Sequence, residues 1–262
     1  MKLVDAHVHL SDPQYSGHMD MLIQDAKNSN VVALVTNAMD YATSLEALKL
    51  REKSPELIHV ALGIHPWNVN VLREGELKQT IDLILEQHQK GNVVAIGEIG
   101  LDCKYESIWE SQLMVFDKML RLAEQLDLPV IIHSRGTTEF IVDMLPSYNL
   151  KRVLLHWFSH PLPALAKAME RGYYITEGPP TVYSTGIREV VTNTPLTNLL
   201  TETDGPVLFR KAPFLGQITR PSFIREVVLA IADVKRIPAE TVADQIIKNF
   251  EAFFNIKRKP TT

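Results

Sequence analysis

Two hydrophobic rhythms alternate along the chain. Short apolar runs rich in β-branched residues occupy Leu3–His7, Val31–Thr36, Leu57–Ile64, Val93–Ile99, Val130–His133, Val153–Trp157, Tyr173–Thr176 and Leu199–Thr203. Between several of them lie longer segments with apolar residues three and four apart: Met19–Lys27, Ser44–Glu52, Leu77–Gln89, Trp109–Gln125 and Leu162–Glu170. The short runs predict strands and the longer segments amphipathic helices. Strands alternating with helices imply right-handed βαβ units and a parallel sheet. Eight strands within about 205 residues match the count and size of a TIM-type (βα)8 barrel, an α/β fold. The main rival is a doubly wound sheet, but no Gly-rich phosphate loop follows the first run. The tail, Ile218–Leu229 and Glu240–Phe254, reads as closing helices.

Length and composition agree with one barrel domain over residues 1–262. Hydrophobic residues make up 45% and charged residues 22%, ordinary values that place the chain among globular proteins. The single cysteine, Cys103, has no internal disulfide partner, so nothing points to an oxidising compartment. The opening Met-Lys-Leu-Val-Asp-Ala-His mixes polar residues into its first apolar stretch, unlike a secretory signal. No stretch reaches the roughly 18 apolar residues of a membrane span. The expectation is a cytoplasmic protein without membrane contact and, by default, a monomer. A net charge of −4 excludes a protein that coats nucleic acid by charge alone, though not an enzyme that grips one or two phosphates.

Candidate chemistry follows from where the nine histidines fall. A TIM barrel carries its active site at the C-terminal ends of its strands. His7 and His9 end the first run, His65 the third and His133 the fifth, while His156 sits near the end of the sixth. Glu98 ends the fourth run and Asp204 follows the eighth. Residues two apart on a strand share a face, so His7 and His9 can reach one ion. Imidazole nitrogen with carboxylate oxygen suits zinc and similar cations, and Asp5 on the same face is a candidate to orient an imidazole. Glu98, between apolar strand residues, must be paired or coordinated, either bridging two cations or salt-bridged to a barrel Lys or Arg. Gly97 and Gly100 leave space beside it, which favours the bridge; Asp102 reads as a loop-orienting residue. Taken singly, His133 and His156 pass for hydrogen-bonded core histidines and Asp204 for a turn acid. Their common rim makes them metal ligands.

Together these residues resemble the TatD family of metal-dependent hydrolases. The likeness spans nearly the whole chain and rests on Asp5-Ala6-His7-Val8-His9, Gly63-Ile64-His65-Pro66, Gly97-Glu98-Ile99-Gly100-Leu101-Asp102, Ile132-His133-Ser134-Arg135 and Glu202-Thr203-Asp204. The resemblance implies a distorted (βα)8 barrel with two metal ions at the strand C-termini. His7 and His9 would bind one metal with Asp204, His133 and His156 would bind the second, and Glu98 would bridge. It further implies deoxyribonuclease or phosphoesterase activity on nucleic-acid ends. The chain departs from the pattern at Trp157 and His160, where smaller residues are usual, and at Cys103, where an aromatic is common. The segment Leu208-Phe209-Arg210-Lys211-Ala212-Pro213-Phe214 after Asp204 is unusually apolar and basic. All of these departures fall at the expected pocket mouth.

Two divalent ions about 3.5–4 Å apart would activate water near neutral pH and clamp a scissile phosphodiester. Asp204 is the expected general base, and Arg135, directly after a ligand, a bidentate phosphate partner. His65 and Lys104 share the rim, and Arg210, Lys211 and Arg220 lie near the last strand, where barrels often bind phosphate. The expected substrate is a nucleic-acid end or a small phosphoester, and the ions are any of Zn, Mn, Mg, Co or Ni. An alternative keeps the metals but attacks an amide, lactone or aminoacyl ester, with Trp157 and Phe158 mildly in its favour. A second alternative is a non-catalytic metal- or nucleic-acid-binding module.

Overall fold

A computed structural model describes residues 1–159 and 161–256; His160, expected at the pocket mouth, lies outside them. Eight strands form one parallel sheet in chain order: β1 (Leu3–Val8), β2 (Val31–Asn37), β3 (Ile58–Leu62), β4 (Ala95–Asp102), β5 (Val130–Arg135), β6 (Val153–Leu155), β7 (Tyr174–Glu177) and β8 (Leu199–Thr201). β8 returns to β1, so the sheet is a nearly closed barrel. The closing bonds are few: Thr201 Oγ1 donates to the Val4 carbonyl at 2.7 Å, and Asp204 N–H donates to the His7 carbonyl at 3.0 Å. His9 N–H in turn donates to the Gly205 carbonyl at 2.8 Å.

Helices cover the sheet as α1 (Met19–Asn28), α2 (Tyr41–Lys53), α3 (Glu76–Gln89), α4 (Trp109–Leu126), α5 (Thr138–Met144), α6 (Leu162–Glu170), α7 (Thr185–Asn193), α8 (Ile224–Lys235) and α9 (Ala239–Phe254). In α4, Val115, Phe116, Met119, Leu120 and Ala123 form the buried stripe that a 3.6-residue period dictates. Covered by helices outside and packed inside, the strands are apolar on both faces, which is why they read as continuous runs. Among the described residues, no helix is long and apolar enough to cross a membrane.

Several predicted boundaries move, each for a local reason. β4 runs on to Asp102 because it keeps pairing with β5 as far as Asp102 opposite Arg135. Glu98 is therefore mid-strand rather than terminal. β3 stops at Leu62, and His65 instead caps a 3-10 turn, Pro66–Val71. The predicted helix from Ile218 starts only at Ile224. Pro221 forces the preceding Arg220 into extended backbone (φ −148°, ψ 160°), which no helix accepts. Helices α5 and α7 fill the two βα connections for which the sequence rhythm supplied none.

Candidate metal centre

Glu98 owes its position to a slip in register. Ile96 stands opposite Val130 but Ile99 opposite Ile132, so β4 carries one extra residue at Gly97–Glu98. Such a bulge re-aims a side chain. The two neighbouring glycines serve the strand contact rather than a ligand. A Cβ on Gly97 would lie 2.7 Å from Ile131 Cβ, and one on Gly100 (φ +149°) would lie 2.0 Å from the His133 carbonyl oxygen. The space expected beside Glu98 is thus occupied by β5.

The buried Glu98 carboxylate, 1% exposed, meets five imidazoles, divided between its two oxygens. Oε2 faces His7 Nε2 at 3.3 Å and His9 Nε2 at 3.1 Å. Oε1 faces His65 Nε2 at 3.2 Å, His133 Nδ1 at 3.0 Å and His156 Nε2 at 2.8 Å. Asp204 Oδ1 completes the first group, 3.4 Å from His7 Nε2 and 3.6 Å from His9 Nε2. Among the described residues, the ion-pair partners of Glu98 are therefore histidines, not a barrel Lys or Arg. The potential ligand atoms of His7, His9 and Asp204 lie within 4.8 Å of one another, as do those of His7, Glu98 and His156 and those of His65, Glu98 and His133.

What stands behind each ring decides which nitrogen faces inward. His9 Nδ1 lies 2.9 Å from the Asn37 carbonyl oxygen, an acceptor, so Nδ1 keeps a proton and Nε2 is the nitrogen that can give one up to a cation. His133 Nε2 lies 3.1 Å from Asp102 Oδ2, which leaves Nδ1 toward Glu98. His156 Nδ1 faces Glu202 Oε2 at 3.4 Å, while Thr176 Oγ1 donates to the same oxygen at 2.5 Å. His65 is reversed. Its Nδ1 accepts the Trp67 backbone N–H at 3.1 Å, so the neutral ring carries its proton on Nε2 and donates to Glu98. His7 stacks on His156 with centroids 4.0 Å apart and 7° between planes.

Charge follows this arrangement. Burial resists ionisation of Glu98, yet the imidazoles around it, His65, His156 and His7 among them, hold its carboxyl well below the usual range. Asp204 is held low in the same way, against burial, by hydrogen bonds to His7 and His9. Burial likewise opposes a charge on His9, but Asp204 and Glu98 lift it to about 10. Burial wins at His65, which falls to about 4 despite Glu98. His65 is therefore neutral in the neutral pH range.

The donor set fits divalent cations on an independent observation. Among the described residues, Glu98 Oε2 is a buried polar atom without a hydrogen-bond partner. Buried acceptors are normally satisfied. Glu98 Oε2 is aimed at the point where His7, His9 and Asp204 converge, and a cation there would satisfy it.

Residues that sequence reading missed stand one step back. Trp67 Nε1 donates to Asp102 Oδ2 at 2.5 Å, linking an indole to His133 through the carboxylate. Glu202 supports His156, a role expected of Asp5 for its own neighbour. Asp5 instead accepts from the His7 backbone N–H, from Thr203 N–H and from Thr203 Oγ1, and so locks β1 to the chain after β8. Glu177, beside Glu202, is pushed well above its usual value by burial and by the Glu202 charge. Both Glu177 and Glu202 are acids within buried runs, the signal that singled out Glu98.

The expected basic residues fare differently. Arg135 ends β5 with an exposed side chain, outside the contacts of the Glu98 cluster. Lys211 lies over the Tyr183 ring and Lys104 over Tyr105. Arg220 is drawn toward α1, 3.8 Å from Asp25, where Asp25 also accepts the Ser222 N–H, so it belongs to that helix contact. Phe158 is buried in the main hydrophobic core, 1% exposed. Trp157 packs 6.1 Å from Phe209 in a satellite cluster with Phe214 and Phe223.

Residues 4–255 match the family model described as TatD related DNase. The chain belongs to the TatD family of metal-dependent hydrolases. It is 32% identical to the metal-dependent hydrolase YjjV of Escherichia coli K12, covering 97% of this chain and 98% of that one. It is 31% identical to deoxyribonuclease TATDN3 of Homo sapiens, covering 94% and 92%. The crystal structure of E. coli YjjV superposes with a TM-score of 0.90 over 97% of this chain and 98% of that one, at 31% identity. A yeast protein described as an amidohydrolase shares the TatD-type fold with a TM-score of 0.85 at 19% identity, covering 97% and 99%.

Proposed function

We propose that this chain is a dinuclear phosphodiesterase acting on nucleic-acid ends, a deoxyribonuclease in its main activity. The observation that carries the reading is the division of the Glu98 carboxylate, with His7 and His9 at one oxygen and His133 and His156 at the other. His7, His9 and Asp204 would hold one divalent cation, His133 and His156 the second, and Glu98 both. Bound there, such cations lower the pKa of water and stabilise charge on phosphoryl oxygens. The human relative TATDN3 is named a deoxyribonuclease, which supports the phosphodiester as the bond.

The chain's own groups supply the rest. Asp204 is ionised at neutral pH and held by its backbone bond to His7, so it accepts the proton of the attacking water. His65, neutral and donating through Nε2, fixes the orientation of Glu98 without competing for a cation. Arg135, at the exposed end of β5, pairs with a phosphate oxygen of the substrate.

Arg135 gives the test. A charge-assisted contact is worth about 1.5–3 kcal/mol, so Arg135→Ala lowers kcat/KM on phosphodiesters roughly tenfold or more and leaves neutral esters near wild type. The assay compares 3′- and 5′-labelled DNA, RNA, a small phosphodiester, a lactone and an aminoacyl ester in metal-supplemented protein. Faster turnover of the lactone or aminoacyl ester than of any phosphodiester would move the reading to carbonyl chemistry.

A further inference from the structure

Beyond Asp102 and Arg135, the chain ends of β4 and β5 diverge around a cavity of about 580 Å³. That volume is within the roughly 300–1,000 Å³ typical of small-molecule sites. Its walls come from Cys103 and the segment 106–111 after β4 and from Gly136, Thr137 and Phe140 after β5. Thr137 Oγ1 donates to the Leu101 carbonyl at 2.9 Å and ties the two walls together. The cavity is contiguous in sequence with the candidate centre. Cys103 follows Asp102, the acid against His133, and Gly136 follows Arg135.

Two small residues meet at its floor. A Cβ on Gly136 would lie 2.3 Å from Cys103 Sγ, so the floor is already in contact with nothing to spare. Trp109 and Phe140 form one side, edge to face, with centroids 5.6 Å apart, and Phe140 is 48% exposed. Glu106, Glu110, Ser107 and Ser111 supply oxygen acceptors, and among the described residues no Lys or Arg lines the cavity.

We propose that this cavity is a nucleobase subsite. It receives the base adjoining the phosphate held by Arg135, with Cys103 at its floor. The reading rests on the phosphodiesterase proposed above. An exposed aromatic ring accepts the flat face of a base, and carboxylate and hydroxyl oxygens accept hydrogen bonds from its amino group. The same carboxylates repel a further phosphate, so the nucleoside here is a terminal one. That matches a substrate cut at its end. A base with an exocyclic amino group, such as cytosine, suits the lining better than a second phosphate or an anionic ring.

The test uses substrates that share a leaving group: deoxycytidine 3′- and 5′-(p-nitrophenyl phosphate), and methyl p-nitrophenyl phosphate. Wild type is expected to favour at least one deoxycytidine ester by about tenfold, the scale of one base stack. Cys103→Tyr, which fills the cavity, and Phe140→Ala, which removes its ring, should each abolish that preference and leave the methyl ester within twofold. An equal effect on all three esters, or none, overturns the subsite. A second readout needs no turnover. Cys103 is the chain's single cysteine, so iodoacetamide labels this cavity alone. Deoxycytidine should slow its alkylation at least threefold in wild type but not in Phe140→Ala. Unchanged alkylation overturns the proposal even where the esters are hydrolysed. Protection without hydrolysis of any ester keeps the subsite and sinks the phosphodiesterase.

Discussion

The Nδ1 of His65 accepts the backbone N–H of Trp67 at 3.1 Å, and this single bond separates His65 from the other four imidazoles around Glu98. A ring that accepts through one nitrogen and donates through the other has no lone pair directed inward. His65→Ala is therefore expected to retain its metal content while turnover falls. His7→Ala and His9→Ala should each lose metal with the barrel still folded. Metal analysis of the three purified variants, beside their far-ultraviolet circular dichroism, checks this. Loss of metal from His65→Ala equal to that from His7→Ala would make His65 a ligand.

Trp67 reaches the centre by a second route, through Asp102 to His133. Groups that orient a ligand from behind typically alter metal affinity by about 10- to 100-fold when removed. Trp67→Phe keeps a ring against His65 but drops the indole donor. Its affinity for the more weakly held ion should fall by about tenfold, and Asp102→Asn should fall further. Competition titration against a chromophoric chelator measures both. An unchanged affinity in Trp67→Phe would reduce the indole to a packing role.

Protons and cations compete for the same nitrogens. His9 is lifted to about 10 by Asp204 and Glu98 against burial, and His156 is raised well above its usual value by Glu98 and Glu202. With these pKa values above neutral, the metal-free site holds protons throughout the neutral range, and an incoming cation must expel them. Affinity should therefore weaken as pH falls and strengthen as it rises, by about tenfold per pH unit for each proton expelled, up to the His9 value. Titration calorimetry at several pH values, in buffers of different ionisation enthalpy, counts the protons directly. A constant affinity between pH 6 and 9 would contradict the charge state given for His9.

The barrel was legible in the sequence because parallel strands covered on both faces leave unbroken apolar runs. Its rim was legible because histidines and acids interrupted those runs at corresponding ends. The displacement of Glu98 to mid-strand was not, since a bulge is a relation between two strands and one strand's pattern does not carry it. Helix α5, with seven residues, is too short for periodicity to build up. The partner of His9 is a backbone carbonyl, Asn37 O, which every residue type possesses. Glu202 was within reach, being two residues before Asp204 and itself a buried acid. Trp67 had no spacing to betray it, because it acts through Asp102, 35 positions away.

The last prediction separates proton transfer from metal holding at the two carboxylates. Asp204 meets His7 and His9 at 3.4 and 3.6 Å, whereas Glu98 meets all five imidazoles at 3.3 Å or less. Asp204→Asn keeps the shape and a coordinating oxygen but removes the basicity. Metal content should fall modestly and turnover by at least about 10²-fold, the usual cost of losing a general base. Glu98→Gln replaces one oxygen with an amide that cannot ligate, so one of the two histidine groups loses its anionic partner and at least one ion is lost. A turn acid that merely stabilised the chain after β8 would instead lower the melting temperature and leave the folded fraction active. Turnover per bound metal, measured with a thermal melt for each variant, distinguishes these outcomes. Normal turnover in Asp204→Asn at full metal occupancy would remove Asp204 from the proton transfer and leave it as a ligand alone.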